Sequence, residues 1–251
     1  MNALADNDYT RALGALGREL PRPRGIVCIS AHWMTEGLWV TRMAQPRTIH
    51  DFGGFPRELF EVQYPAPGSR ELAELVQTVV SIPQIDGNDA GDSDEWGLDH
   101  GAWSVLRHLY PKADIPVVQL SIAMDEGARF HFELGAKLRP LREQGILILG
   151  SGNMVHNLRR IDWNERAAPA SWALEFDRWV KSRIEARDFE SLIERATESE
   201  AGRLSIPTPD HWYPFLVAAG AMGPGDQVDW VWDSIDHGSI AMRSFVASGR
   251  G

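Results

Sequence analysis

The sequence predicts an α/β fold: one domain with a mostly parallel central sheet flanked by helices. Three observations carry this. Short apolar runs rich in Ile and Val alternate with longer segments of helical period. The first of them, rich in Ile and Val (Gly25 to Met34), reads as a strand buried on both faces. The length, 251 residues, and a hydrophobic content of 43% suffice for one sizeable core.

Taken in order, a helix over 9–19 stops before "PRPRG", where prolines end it. Strand 25–31 (GIVCISA) follows, then strand 37–43 (GLWVTRM) and a helix over 69–80. The stretch "DGNDAGDSDEWG" (86–97) is acidic and turn-rich, the pattern of an exposed loop. A helix over 101–110, a strand over 115–122 and a helix over 128–143 come next. That helix ends at Gly145 and leads into strand 145–151 (GILILGS). Helices over 170–187 and 211–221 and a weaker strand near 228–232 complete the reading.

Composition excludes several classes of function. A net charge of −10 leaves no basic face for a nucleic-acid backbone. No apolar run approaches the roughly 20 residues of a membrane span. The opening residues lack a secretory signal, and the single Cys28 cannot build a disulfide framework or a thiolate metal site. A cytoplasmic protein acting on a small molecule is expected. Its ten Trp residues are anchors for a core or walls for a planar ligand.

Of the eight histidines, four stand at element boundaries, where the ends of parallel strands gather ligands. His32 closes "GIVCISAH". His156 comes after a strand, through "GSGNMVHN", where Gly150 and Gly152 permit a tight turn and Asn153 can cap the next element. His100 lies in "WGLDHGAW", at the mouth of a helix. His211 lies in "PTPDHWYP", with Asp210 placed to cap a helix. His108 and His131 fall inside helices, and His50 opens "HDFGGFP", a loop shaped by Gly53 and Gly54. No zinc, phosphate-loop or nucleophile-elbow motif occurs. Imidazoles at strand ends without thiolates suit Fe(II) or Zn(II).

The stretches "ISAHWMTEG", "TIHDFGGFPRELFEVQYPAPGS", "GLDHGAWSVLRHLYPKADIPVVQLSI", "GSGNMVHNLR" and "PTPDHWYPFLVAAGA" resemble the DOPA-type extradiol dioxygenases. These are a branch of the class III ring-opening enzymes related to the catalytic subunit of protocatechuate 4,5-dioxygenase. The resemblance runs from Met1 to about Ser248. It implies cleavage of a catechol by O₂ to a hydroxymuconic semialdehyde, with a non-haem divalent metal. Matched motif by motif, His32 and His211 are metal ligands, His156 is a ligand or the acid–base residue, and His100 lines the substrate site. His156 is assigned the proton transfer, with His100 as its backup. Trp33, His50, Phe52 and Trp212 are candidates for the slot that holds the ring.

The family pattern also includes an earlier strand ending in a Gly-His-Gly-Ser-Pro turn, followed by Met-Asn. This sequence opens at that Met-Asn, Met1 and Asn2, so one implied ligand is not in it. Weakened metal binding is the expectation. Fe(II) is the expected metal for activity, with Zn(II) as an alternative occupant. Two competing readings are a zinc-dependent, non-oxidative metalloenzyme and a catalytically impaired binding protein on the same fold.

Overall fold

The computed structural model describes residues 2–80, 91–93, 96–164 and 167–249. Its contacts divide the chain into two compact units, Met1–Glu126 with Lys137–Ser151, and Gly127–Ala136 with Gly152–Gly251.

The first unit holds helix α1 (Asp8–Glu19), strands β1 (Gly25–Thr35) and β2 (Trp39–Thr41), and helices α2 (Arg57–Phe60) and α3 (Arg70–Val80). Strand β3 (Gly91–Ser93), helix α4 (His100–Leu109) and strand β4 (Val117–Ala123) come next. Helix α5 (Ala128–Glu143) is divided between the units, and β5 (Ile146–Ser151) closes the first. The five strands form one sheet in the order β3-β2-β4-β1-β5. β1 pairs in parallel with both β4 and β5, while β2 runs antiparallel to β4. The sheet is therefore mixed but mostly parallel.

β1 is buried from Gly25 to Ala31, as its uninterrupted apolar run requires. Beyond Ile29 its pairing with β4 loses register, and regular partners resume only at Met34. Register irregularities of this kind re-aim side chains, here between Ile29 and Met34. Gly145, at φ +78°, makes the expected helix-to-strand turn.

The second unit holds α6 (Ser171–Glu185), α7 (Phe189–Glu194), α8 (Glu200–Ser205) and α9 (Tyr213–Gly220). Strands β6 (Gln227–Trp232), β7 (Ile235–Asp236), β8 (Ile240–Ala241) and β9 (Ser244–Ser248) complete it. α9 is apolar almost all round, and its residues from Tyr213 to Val217 are buried.

Several expectations need correction. The strand over 37–43 contracts to Trp39–Thr41. The weak strand near 228–232 exists, but it pairs antiparallel with β9 outside the main sheet. Asp210 caps no helix, because α9 begins only at Tyr213, with Pro214 supplying the preset first turn. Asn153 is not a cap either; Asn157 caps the 3₁₀ turn Leu158–Arg160 by accepting from the Arg159 amide. The acidic stretch 86–97 lies mostly outside the described residues, and Gly91–Ser93 within it is a strand.

Candidate active site

In the first unit His32 and His100 meet, with ring centroids 3.8 Å apart. His32 does not close β1 as expected but lies within it, three residues before its end at Thr35, because Met34 and Thr35 still pair with β4; His100 is the first residue of α4. A network below them fixes both. Asp99, fully buried, is the N-cap of α4 and accepts from the Ala102 amide at 3.1 Å. It also accepts from Ser30 Oγ at 2.7 Å and from Gln119 Nε2 at 2.7 Å. The His32 amide in turn donates to Ser30 Oγ at 3.2 Å. One buried carboxylate thus ties β1, β4 and α4 together at the level of the two histidines. Its lone pairs are occupied by donors, which is what a buried carboxylate requires.

Gly101 makes this approach possible. A Cβ there would collide with Ser30 Oγ and lie 2.9 Å from His32 Cδ2 and 3.2 Å from Asp99 Oδ1.

Asp51 joins from the loop after β2. It accepts from the His100 amide at 2.8 Å and contacts His100 Nδ1 at 2.8 Å, and it stands 3.7 Å from His32 Nδ1. Burial pushes its carboxyl up, but the bonds from His100 outweigh this and hold it below its ordinary value. His32, Asp51 and His100 offer donor atoms that all lie within 4.8 Å of one another. Two imidazoles and a carboxylate form a donor set suited to a divalent cation.

The ring-slot candidates separate by position. Phe52 meets His100 edge to face at 5.4 Å and packs against Phe60 at 4.8 Å. His50, its Nε2 3.0 Å from the Val62 carbonyl, lies 5.7 Å from the Trp103 ring. Trp33 is buried and stacks on Trp96 at 5.7 Å.

In the second unit His156 and His211 stack face to face, centroids 3.5 Å apart and 11° from parallel. The His156 amide donates to the Ser205 carbonyl, and the residue bridges to Ile240 of β8. His211 Nδ1 accepts from the Asn153 amide at 3.2 Å, while Asn153 Nδ2 donates to the Ala241 carbonyl at 2.8 Å. Gly152 allows this turn, since a Cβ there would lie 2.5 Å from the His211 carbonyl. Trp212, next to His211, is buried against Phe215 at 4.6 Å and Phe176 at 5.7 Å.

The four boundary histidines therefore form two close pairs, one in each unit. His108 and His131 lie within helices, as their sequence positions indicated. Asp51, Asp99, Ser30 and Gln119 carried no periodic signal that singled them out. Only the adjacency of Asp51 to His50 and of Asp99 to His100 in quoted motifs hinted at them.

The profile of the family described as "Catalytic LigB subunit of aromatic ring-opening dioxygenase" matches residues 5–243. The chain belongs to this family. A LigB relative in Escherichia coli K12, named 4,5-DOPA dioxygenase extradiol, is 45% identical over 250 residues, covering 97% of this chain and 89% of its own. The 4,5-DOPA dioxygenase extradiol of Beta vulgaris is 37% identical, over 89% of this chain and 82% of its own. A crystal structure of an uncharacterized protein from Escherichia coli K12 superposes with a TM-score of 0.82 at 39% identity. It covers 96% of this chain and 92% of that one. This LigB protein is an aromatic ring-opening dioxygenase of the extradiol type. Among the described residues no helix is long and apolar enough to cross a membrane.

Proposed function

We propose that this LigB enzyme opens the ring of a catechol bearing an amino-acid side chain, DOPA or an analogue, to a hydroxymuconic semialdehyde. The observation that carries the reading is the extended likeness to relatives named for that reaction, together with imidazoles near the ends of elements. The metal is Fe(II), with Zn(II) able to occupy the same donors but inert to redox chemistry. By their motifs His32 and His211 are its ligands, and His156 is a ligand or the acid–base residue. Held by these residues, the metal would supply Lewis-acid and redox chemistry for the reaction of the catechol with O₂.

The protein's own groups do the rest. His156 takes a catechol proton and later returns one to the opening ring, and His100 is the second candidate for this role. Phe52 and His50 flank the ring, whereas Trp33 and Trp212, both buried, pack against other aromatic rings. A cytoplasmic location is supported by the single cysteine, which can form no disulfide within the chain.

The test is elemental analysis with activity on L-DOPA after anaerobic loading with Fe(II) or Zn(II). Activity with Fe(II) alone is expected. His32→Ala and His211→Ala should lose metal. His156→Gln should keep enough metal to assay and lose about 10²–10⁴-fold in rate, the scale of general acid–base catalysis. Full metal content in both alanine variants would overturn the ligand assignment. Activity on simple catechols but none on L-DOPA would overturn the substrate.

A further inference from the structure

We propose that Asp51 is a positioning residue: it fixes His100 as the tautomer protonated on Nδ1 and so leaves Nε2 bare to accept a proton from the substrate. The inference rests on the second reading given above, in which His100 rather than His156 takes the catechol proton.

The geometry is specific. Asp51 Oδ1 takes the backbone N–H of His100 at 2.8 Å, and Oδ2 faces Nδ1 of the same residue at 2.8 Å. Backbone and ring of one histidine are gripped by the two oxygens of one carboxylate. A carboxylate ionised near neutral pH only accepts, so the hydrogen in the second bond belongs to Nδ1. A neutral imidazole with Nδ1–H presents a lone pair at Nε2. The ring cannot turn away from this arrangement, because His32 covers it at 3.8 Å and the Phe52 ring meets it edge-on at 5.4 Å. The backbone amide matters as much as the ring. At the first position of α4 it has no partner within its own helix, and Asp51 supplies one.

That fixed donor also predicts the effect of an isosteric change. In Asp51→Asn the amide oxygen must face the His100 N–H, since the amide nitrogen cannot accept there. The amide nitrogen then faces the ring and donates to Nδ1. His100 is forced into the Nε2–H tautomer, and its acceptor becomes a donor with hardly an atom moved.

The imidazole ¹⁵N shifts of His100, recorded by NMR on metal-free protein above the histidine titration range, test this directly. The expected result is a protonated Nδ1 in the wild type and a protonated Nε2 in Asp51→Asn. In the Fe(II)-loaded enzyme, Asp51→Asn should keep its metal and lower kcat by about 10²–10⁴-fold, with KM changed only a few-fold. In a His100→Gln background the same substitution should cost little more, because it acts through the ring that is gone. A wild-type His100 protonated on Nε2 overturns the proposal, and that reading needs no variant to fold. Loss of metal in Asp51→Asn would make Asp51 a ligand instead, which also overturns it. An undiminished kcat with a switched tautomer would show that His100 takes no proton, leaving the family activity itself untouched.

Discussion

Gly101 is the residue on which the His32–His100 pair most depends. Any side chain there strikes Ser30 and crowds His32 and Asp99, all held in a bonded network with no slack. Gly101→Ala should cost about 1–3 kcal/mol, the usual scale of overpacking. Because the displaced atoms are those that aim His32, metal affinity should fall as well. Denaturant unfolding and metal titration measure the two effects, and unchanged values in both would show that α4 can retreat from β1 freely. The histidines themselves were legible because a break in hydrophobic period marks where a strand or helix ends. Asp51 was not: 49 residues separate it from His100, and a carboxylate in a loop has no period to betray its partner.

Among the elements, the antiparallel pair β6–β9 is anchored to α6 through one ion pair. Arg243 Nε and Nη2 each donate to Asp177 at 2.7 Å, with side chains only 6% and 7% exposed. The guanidinium also lies over the Trp230 ring, 5.2 Å from its centroid. Removing one partner of such a pair leaves a buried charge without its counter-ion. Asp177→Ala should therefore destabilise the protein by about 3–5 kcal/mol. A loss below about 1 kcal/mol in chemical denaturation would mean that water already screens the pair, as at exposed sites. The β6–β9 pair is less legible in the sequence, since β7 and β8 separate its strands. β6 has the residues of a strand, but its antiparallel partner Ser244–Ser248 is too short to show a period of its own. β1 and β4 were legible because burial along most of their length makes them mostly apolar, and half-buried β5 because Ile146–Leu149 is an unbroken apolar run. β2 was overestimated because Leu38 and Met43 extend its apolar look beyond its three paired residues.

For the whole molecule, stability should depend on pH through His108. Burial lowers its pKa from the ordinary 6.5, outweighing the opposing hydrogen bond to the Asn2 carbonyl, 3.2 Å from Nε2. The unfolded chain then binds a proton more readily than the folded one, between the folded value and 6.5. Stability is complete above 6.5 and declines as pH falls through 6.5 toward the folded value. Unfolding midpoints of metal-free protein across this window should fall with acidity, and His108→Gln should flatten the slope. An equal slope in the variant would assign the effect to other groups.

The central claim is that this LigB protein opens an aromatic ring by adding O₂ across it. The most direct measurement runs an oxygen electrode alongside product analysis, on enzyme loaded with Fe(II) and supplied with L-DOPA. O₂ uptake in step with the yellow ring-opened semialdehyde is expected, one molecule for each ring, with no hydrogen peroxide released. Oxygen uptake that yields peroxide and a quinone with the ring intact would contradict it.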